Sequence, residues 1–282
     1  MKFASFHIDG RETWGALDGD DMLDIGALLS PNVPDLRSAI AANALNAARA
    51  AMTRADRHAI ADIVWRPVIP NPGKILCIGL NYKAHKEEAG RADTAYPTVF
   101  VRFADSQLAH GEDIVRPRVS ARLDYEGELA IIIGTGGRYI PRDQAMRHVA
   151  GYACYNDGSI RDWQRHTTQF LPGKNFPATG AFGPVMVTAD EIDDYRTLQL
   201  ETRLNGEVVQ KAGLDQLIFD IPTLIEYCSA FTPLAAGDVI VTGTPGGVGF
   251  LREPPMFMKP GDRIEVEVSG IGLLSNGIAD EI

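Results

Sequence analysis

Residues 123–134 read LDYEGELAIIIG, and the two halves of this stretch pull in opposite directions. The second half is an apolar, partly β-branched run closed by glycine, which is strand chemistry. The first half carries Asp124, Glu126 and Glu128 at a strict spacing of two. Side chains alternate faces along a strand, so the spacing predicts three carboxylates on one face. Side by side they repel, and burial without a partner costs far more than the repulsion. Two arrangements relieve this: a divalent cation held between them, or a solvated edge-strand face where charge discourages aggregation. The stretch alone does not choose.

With 282 residues, 45% of them hydrophobic and 23% charged, the chain can bury a large core as one or two domains. A formal net charge of −10 argues against nucleic acid or an anionic membrane as partner. An anionic substrate would need locally placed Arg and Lys. MKFASFHIDG lacks the apolar run of a signal peptide, and no stretch approaches 18 apolar residues, so the expected location is cytoplasmic. Cys77, Cys154 and Cys228 each sit in apolar company and read as buried free thiols.

Along the chain a small N-terminal domain, residues 1–70, precedes a larger body, residues 71–282. Short strands are expected over residues 2–25, broken at Asp9-Gly10 and Asp18-Gly19. The alanine-rich stretch over residues 35–61 predicts helix, and RPVIPNPGK reads as a linker. Beyond it, strands recur at ILCIGL, TVFVRF, ELAIIIG, VAGYACYN, GPVMVTA, LQLETRLNG, DVIVTGT and RIEVEVSG. A helix is expected at IPTLIEYCSAF, with Pro222 near its first turn. The fold class is therefore α+β and β-rich rather than a regular βαβ alternation.

Several familiar motifs fail. GTGG at residues 134–137 leads into RYIP rather than a helix, and GTPGGVG at residues 243–249 lacks the Gly-Lys-Ser/Thr of a P-loop. There is no G-x-S-x-G, and HKEEA is not H-E-x-x-H. A different polar set remains. Asp157 follows an apolar strand, and a helical turn after it would bring Arg161 and Gln164 to its side. Lys174 lies in the Gly- and Pro-rich PGKNFPATG. His85 and Glu88 stand at i and i+3 just past a strand end. Backbone N–H groups around Thr244, in VTGTPGGVG, could hold an anion.

In GLNYKAHKEE, DYEGELA, NDGSIRDWQ, PGKNF and VTGTPGGVG, in that order, the chain resembles the fumarylacetoacetate hydrolase family, in its acylpyruvate and fumarylpyruvate hydrolase-like branch. The resemblance covers residues 74–282. It implies a mixed β-roll of stacked sheets, usually a homodimer, preceded by a small N-terminal α/β domain. It also implies metal ligands at Glu126, Glu128 and Asp157, and a water-activating pair at His85 and Glu88. Substrate contacts fall at Arg161, Gln164, Lys174 and Thr244, with Lys174 counted among the catalytic groups. Three carboxylates without His or Cys make a hard oxygen site, suited to Mg²⁺ or Mn²⁺, with Ca²⁺ a further option.

The reaction implied is metal-assisted hydrolysis of a carbon–carbon bond in a 2,4-dioxo acid, releasing pyruvate or a related 2-oxo acid in catabolism. His85 would be the general base, and the metal and Lys174 would stabilise the departing enolate. The family also holds decarboxylases, isomerases and hydratases or lyases with the same triad, so fold and triad alone do not fix the reaction. A metal-holding binding module without turnover would have lost its base, and His85 and Glu88 are both present. Many relatives carry Lys-Pro-Ser after the PTVF strand, where this chain has Arg102 and Phe103. Arg102 is accordingly a candidate substrate contact. Residues 86–96 are charged and suggest a lid, while FLREPPMFMKPGD has no assignable role.

Overall fold

The computed structural model describes residues 1–282 apart from Arg91 and Asp93. Its main element is a twelve-stranded sheet. At the centre of that sheet, Gly127–Ile133 pairs antiparallel with both Val149–Asp157 and Val239–Val241, and Val239–Val241 runs parallel to Ile75–Gly79. A second sheet of five strands stacks on it, in the order Glu207–Gly213, Gln199–Leu204, Arg263–Val268, Gly272–Asp280 and Ile114–Arg116. The central strand is buried on both faces, which explains its unbroken apolar run. Leu129, Ile131 and Ile133 pack in one core with Leu200, Val266 and Leu274 of the second sheet. Ala130 and Ile132 face a second core with Leu36, Ile40 and Ala48 from the N-terminal region. The expected mixed, strand-rich α+β fold of stacked sheets is observed. Cys77, Cys154 and Cys228 are buried and free. No helix among the described residues is long and apolar enough to cross a membrane.

Residues 1–70 are joined to the rest through hydrogen bonds, because Lys2–Ile8 pairs antiparallel with Gly180–Thr188 and extends the main sheet. The helix expected over residues 35–61 is corrected. It is two short helices, Leu36–Ala41 and Leu45–Ala51, followed by a strand, Asp56–Ala59. Asn43 stops the first helix with φ +52. The N–H of Ala44 then reaches Ala39 O at 2.8 Å and that of Asn43 reaches Ile40 O at 3.0 Å, the paired bonds of a left-handed helix stop. Alanine propensity lost to one residue able to adopt positive φ.

Candidate metal centre and its cavity

Glu128 continues the face of Ala130 and Ile132, and Asp157 continues that of Ala153 and Tyr155, so adjacent antiparallel strands deliver both to one end of the sheet. Glu126 precedes the strand proper, and its placement is fixed through the backbone. Its N–H donates to Asn156 Oδ1 at 3.0 Å, and its carbonyl accepts from Asp157 N at 2.8 Å. Between the two glutamates, Gly127 admits the second sheet, since a Cβ there would lie 2.0 Å from Thr202 Oγ1. The result is a buried cluster of Glu126, Glu128 and Asp157, with one oxygen from each within 4.8 Å of the others.

The expectation of three carboxylates on one strand face is corrected for Asp124. The strand breaks after it, and Leu123–Asp124 pairs instead with Ser159–Ile160. The Asp124 carboxylate is 2.8 Å from Arg161 Nε and accepts from the N–H groups of Gly249 and Phe250 at 2.8 and 3.0 Å. It is a brace between the site and the late loop.

Buried cations surround the cluster. Lys174, ending the short helix Leu171–Lys174, places Nζ 2.6 Å from Glu126 Oε2 and 2.7 Å from Asp157 Oδ2. Arg161 Nη1 lies 2.6 Å from Glu126 Oε1 and also donates to Gln164 Oε1 at 2.9 Å, as the expected helical turn allows. Burial opposes the charge on Glu126, yet Lys174 and Arg161 outweigh it and hold its pKa down to about 2. Glu128 has no cation at ion-pair distance among the described residues. Burial, then the charges of Asp157 and Glu126, push its pKa well up, and the charge of Lys174 and the Gly243 N–H at 2.5 Å only partly offset this. A divalent cation fits such a donor set, because it would supply the charge Glu128 lacks through hard oxygen ligands.

A cavity opens on this cluster, lined by His85, Glu126, Glu128, Arg161, Gln164 and Lys174, with Thr244 and the apolar Ile78, Phe100, Phe170 and Phe250. His85 is buried on the helix Lys83–Glu88, with Nδ1 3.6 Å from Glu88 Oε2. Glu88 is held in turn by Gly247 N–H at 3.0 Å. Burial opposes its charge, but His85 and this N–H outweigh burial and lower its pKa. Of the segment suggested as a lid, residues 86–88 belong to this helix, and Arg91 and Asp93 lie outside the described residues. Thr244 lines the cavity, but its hydroxyl donates to Gly127 O at 3.0 Å. The anion held by backbone in this turn is Glu128 itself, through Gly243, whose φ of +103 suits glycine.

Arg102 is not on the cavity wall. It lies behind Asp157, wholly buried, with Nη1 2.5 Å from Oδ1. Two residues carried no signal in the sequence. Gln210 comes from the second sheet, accepting from Gly127 N at 2.9 Å and donating to Thr244 Oγ1 at 2.8 Å. Phe250, in the segment without an assigned role, stacks 4.3 Å from both Arg161 Cζ and Arg165 Cζ. Nothing local marks either one.

Residues 74–279 match the family described as fumarylacetoacetate (FAA) hydrolase, C-terminal. The chain is 42% identical over 226 residues to an oxaloacetate tautomerase of Bacillus subtilis (strain 168), covering 78% of this chain and 75% of that one. It is 38% identical over 219 residues to a mitochondrial oxaloacetate tautomerase of Homo sapiens, covering 77% and 70%. Among solved structures it is similar to a fumarylacetoacetate hydrolase from psychrophilic Exiguobacterium antarcticum, with TM-score 0.85 and 34% identity over all of both chains. It is also similar to maleylpyruvate hydrolase from Sphingobium sp. SYK-6 in complex with manganese(II) and pyruvate, with TM-score 0.84 and 28% identity over all of both chains.

Proposed function

The chain belongs to the fumarylacetoacetate hydrolase family, and from that premise we propose that it is a divalent-metal-dependent enzyme interconverting the keto and enol forms of a small 2-oxo dicarboxylate of the oxaloacetate type. The observation carrying this reading is one cavity lined by His85, Arg161 and Lys174 together with Glu126 and Glu128 of the triad. Relatives at 37–42% identity bear the name oxaloacetate tautomerase.

Bound by Glu126, Glu128 and Asp157, Mg²⁺ or Mn²⁺ would supply Lewis acidity toward a 2-oxo acid's keto and carboxylate oxygens. Arg161 Nη2 is buried without a hydrogen-bond partner among the described residues and supplies a donor for a substrate carboxylate. Lys174 donates to the oxygen on which negative charge develops when the neighbouring carbon loses a proton. His85 turns Nδ1 toward Glu88 and so leaves Nε2 to take the proton from that carbon and deliver it to the enolate oxygen, or to run the transfer in reverse.

Hydrolysis of a 2,4-dioxo acid is the second reading, favoured by the partly exposed Glu88, which with His85 could hold an attacking water. The test follows Mn²⁺-loaded protein with enol oxaloacetate and, separately, with acylpyruvates. The tautomerase reading expects accelerated loss of the enol absorbance at unchanged product mass. Acylpyruvate cleavage without that acceleration would favour hydrolysis, and carbon dioxide release matching substrate loss would favour decarboxylation.

A further inference from the structure

Each carboxylate of the triad has one oxygen already held by the protein. Glu126 Oε1 is bound by Arg161 Nη1 at 2.6 Å, Glu128 Oε2 by Gly243 N at 2.5 Å, and Asp157 Oδ1 by Arg102 Nη1 at 2.5 Å. Of the other three, Glu126 Oε2 and Asp157 Oδ2 are held by Lys174 Nζ at 2.6 and 2.7 Å, so a cation taking them would displace that ammonium. Lys174 Nζ, in contact with both Glu126 Oε2 and Asp157 Oδ2, marks the point toward which two of them turn.

Arg102 is the most enclosed of the three clamps. Its Nη1 also donates to Gly158 O at 3.0 Å, Nη2 donates to Thr179 Oγ1 at 2.6 Å, and Nε donates to Ser106 Oγ at 3.4 Å. Thr179 and Ser106 are themselves fixed, donating to Phe176 O at 2.7 Å and Phe103 O at 2.8 Å. Even a Cβ on Gly180 would come within 2.8 Å of the guanidinium. A planar group tied at every edge cannot swing away when a cation enters.

We infer that Arg102 is a positioning residue that confines Asp157 to single-oxygen coordination, and that the three clamps together make the centre select Mg²⁺ or Mn²⁺ over Ca²⁺. The inference rests on the metal reading above. Mg²⁺ takes six ligands at about 2.1 Å and keeps several waters, so single carboxylate oxygens satisfy it, and Mn²⁺ shares the octahedral preference. Ca²⁺ takes up to about eight oxygens at about 2.4 Å and commonly fills its shell through carboxylates that offer both oxygens. Where every second oxygen is already bonded, Ca²⁺ loses that option.

Calorimetric titration of Mn²⁺ and Ca²⁺ into the metal-free full chain tests this in wild type, Arg102→Met, Arg102→Lys and Thr179→Val. Wild type should bind Mn²⁺ the more tightly. Arg102→Met frees Asp157 Oδ1 and should narrow the Mn²⁺-over-Ca²⁺ ratio about ten- to a hundredfold, the usual scale for an outer partner of a metal ligand. Arg102→Lys keeps a donor and should retain most of the ratio. Thr179→Val loosens the clamp with its charge intact and should narrow the ratio less. A merely structural loss would weaken both ions alike and leave the ratio unmoved. An unchanged ratio in Arg102→Met and Thr179→Val, or a wild type that prefers Ca²⁺, overturns the inference. If Arg102→Met does not fold, Thr179→Val and the wild-type preference still decide. A wild type that binds no divalent ion overturns the metal reading itself, and the inference with it.

Discussion

At the scale of single residues, Glu128 is the buried triad carboxylate with no cation at ion-pair distance among the described residues. Glu128→Gln should leave a folded protein with little divalent affinity, as calorimetry would register. His85 contacts no triad oxygen among the described hydrogen bonds and ion pairs, so His85→Ala should lower turnover about a hundredfold or more, the scale of a positioned general base. Mn²⁺ affinity should then barely change, and its collapse would assign His85 a different role. Arg161 is a less clean target, because it neutralises both Asp124 and Glu126. Removing one partner of such a buried pair costs about 3–5 kcal/mol, so Arg161→Met should lower the melting temperature as well as raise KM. The E-x-E pair, Asp157, His85 and Lys174 were singled out through the family resemblance, because each lies in one of the compact motifs that carry it. Gln210 and Phe250 were not, since each reaches the site from an element whose sequence says nothing about its neighbour.

At the scale of elements, the strand holding Glu126 and Glu128 depends on Gly127. Gly127→Ala drives a methyl into Thr202 and should cost about 1–3 kcal/mol, with a parallel loss of Mn²⁺ affinity because both flanking ligands shift. Asp24 offers an acid-stability test. It caps the helix Ile25–Leu29 through Ala27 N–H and also holds Thr13 and Arg11. Burial opposes its charge, but Arg11, Thr13 and Ala27 outweigh burial and lower its pKa. The stability it contributes is therefore present above the ordinary aspartate range, about 4, and is lost as pH falls through the lower folded value. Urea midpoints of wild type and Asp24→Asn should thus differ near neutral pH and converge as pH falls through that lowered folded value. The strands named from the sequence and the helix Ile221–Phe231 were legible from periodicity and a proline near the helix start, whereas Glu207–Gly213 and Gly272–Asp280 of the second sheet were not named. The break at Asn43 was not, because alanine propensity carries no information about where the chain must turn back onto the sheet.

At the scale of the molecule, one sheet runs from the N-terminal strands to the metal centre, and the second core is shared between residues 1–70 and the body. A chain of residues 71–282 would bare both the edge of Gly180–Thr188 and the apolar face under Leu36 and Ile40. It should aggregate or melt far below the full chain in calorimetry. This continuity was not legible, because a Pro-rich stretch reads as a boundary whether or not the strands before it join the same sheet. The charge of −10 sits around a centre where Asp124, Glu126, Glu128 and Asp157 face Arg102, Arg161 and Lys174, so a divalent cation would turn the local balance positive and favour an anionic substrate. The most direct test follows enol oxaloacetate loss by chelator-stripped wild type and Glu128→Gln as Mn²⁺ is added back. Wild type should fall to the uncatalysed rate when stripped and recover as about one equivalent binds, while Glu128→Gln stays low throughout. Full activity in the stripped wild type would contradict a metal-dependent centre.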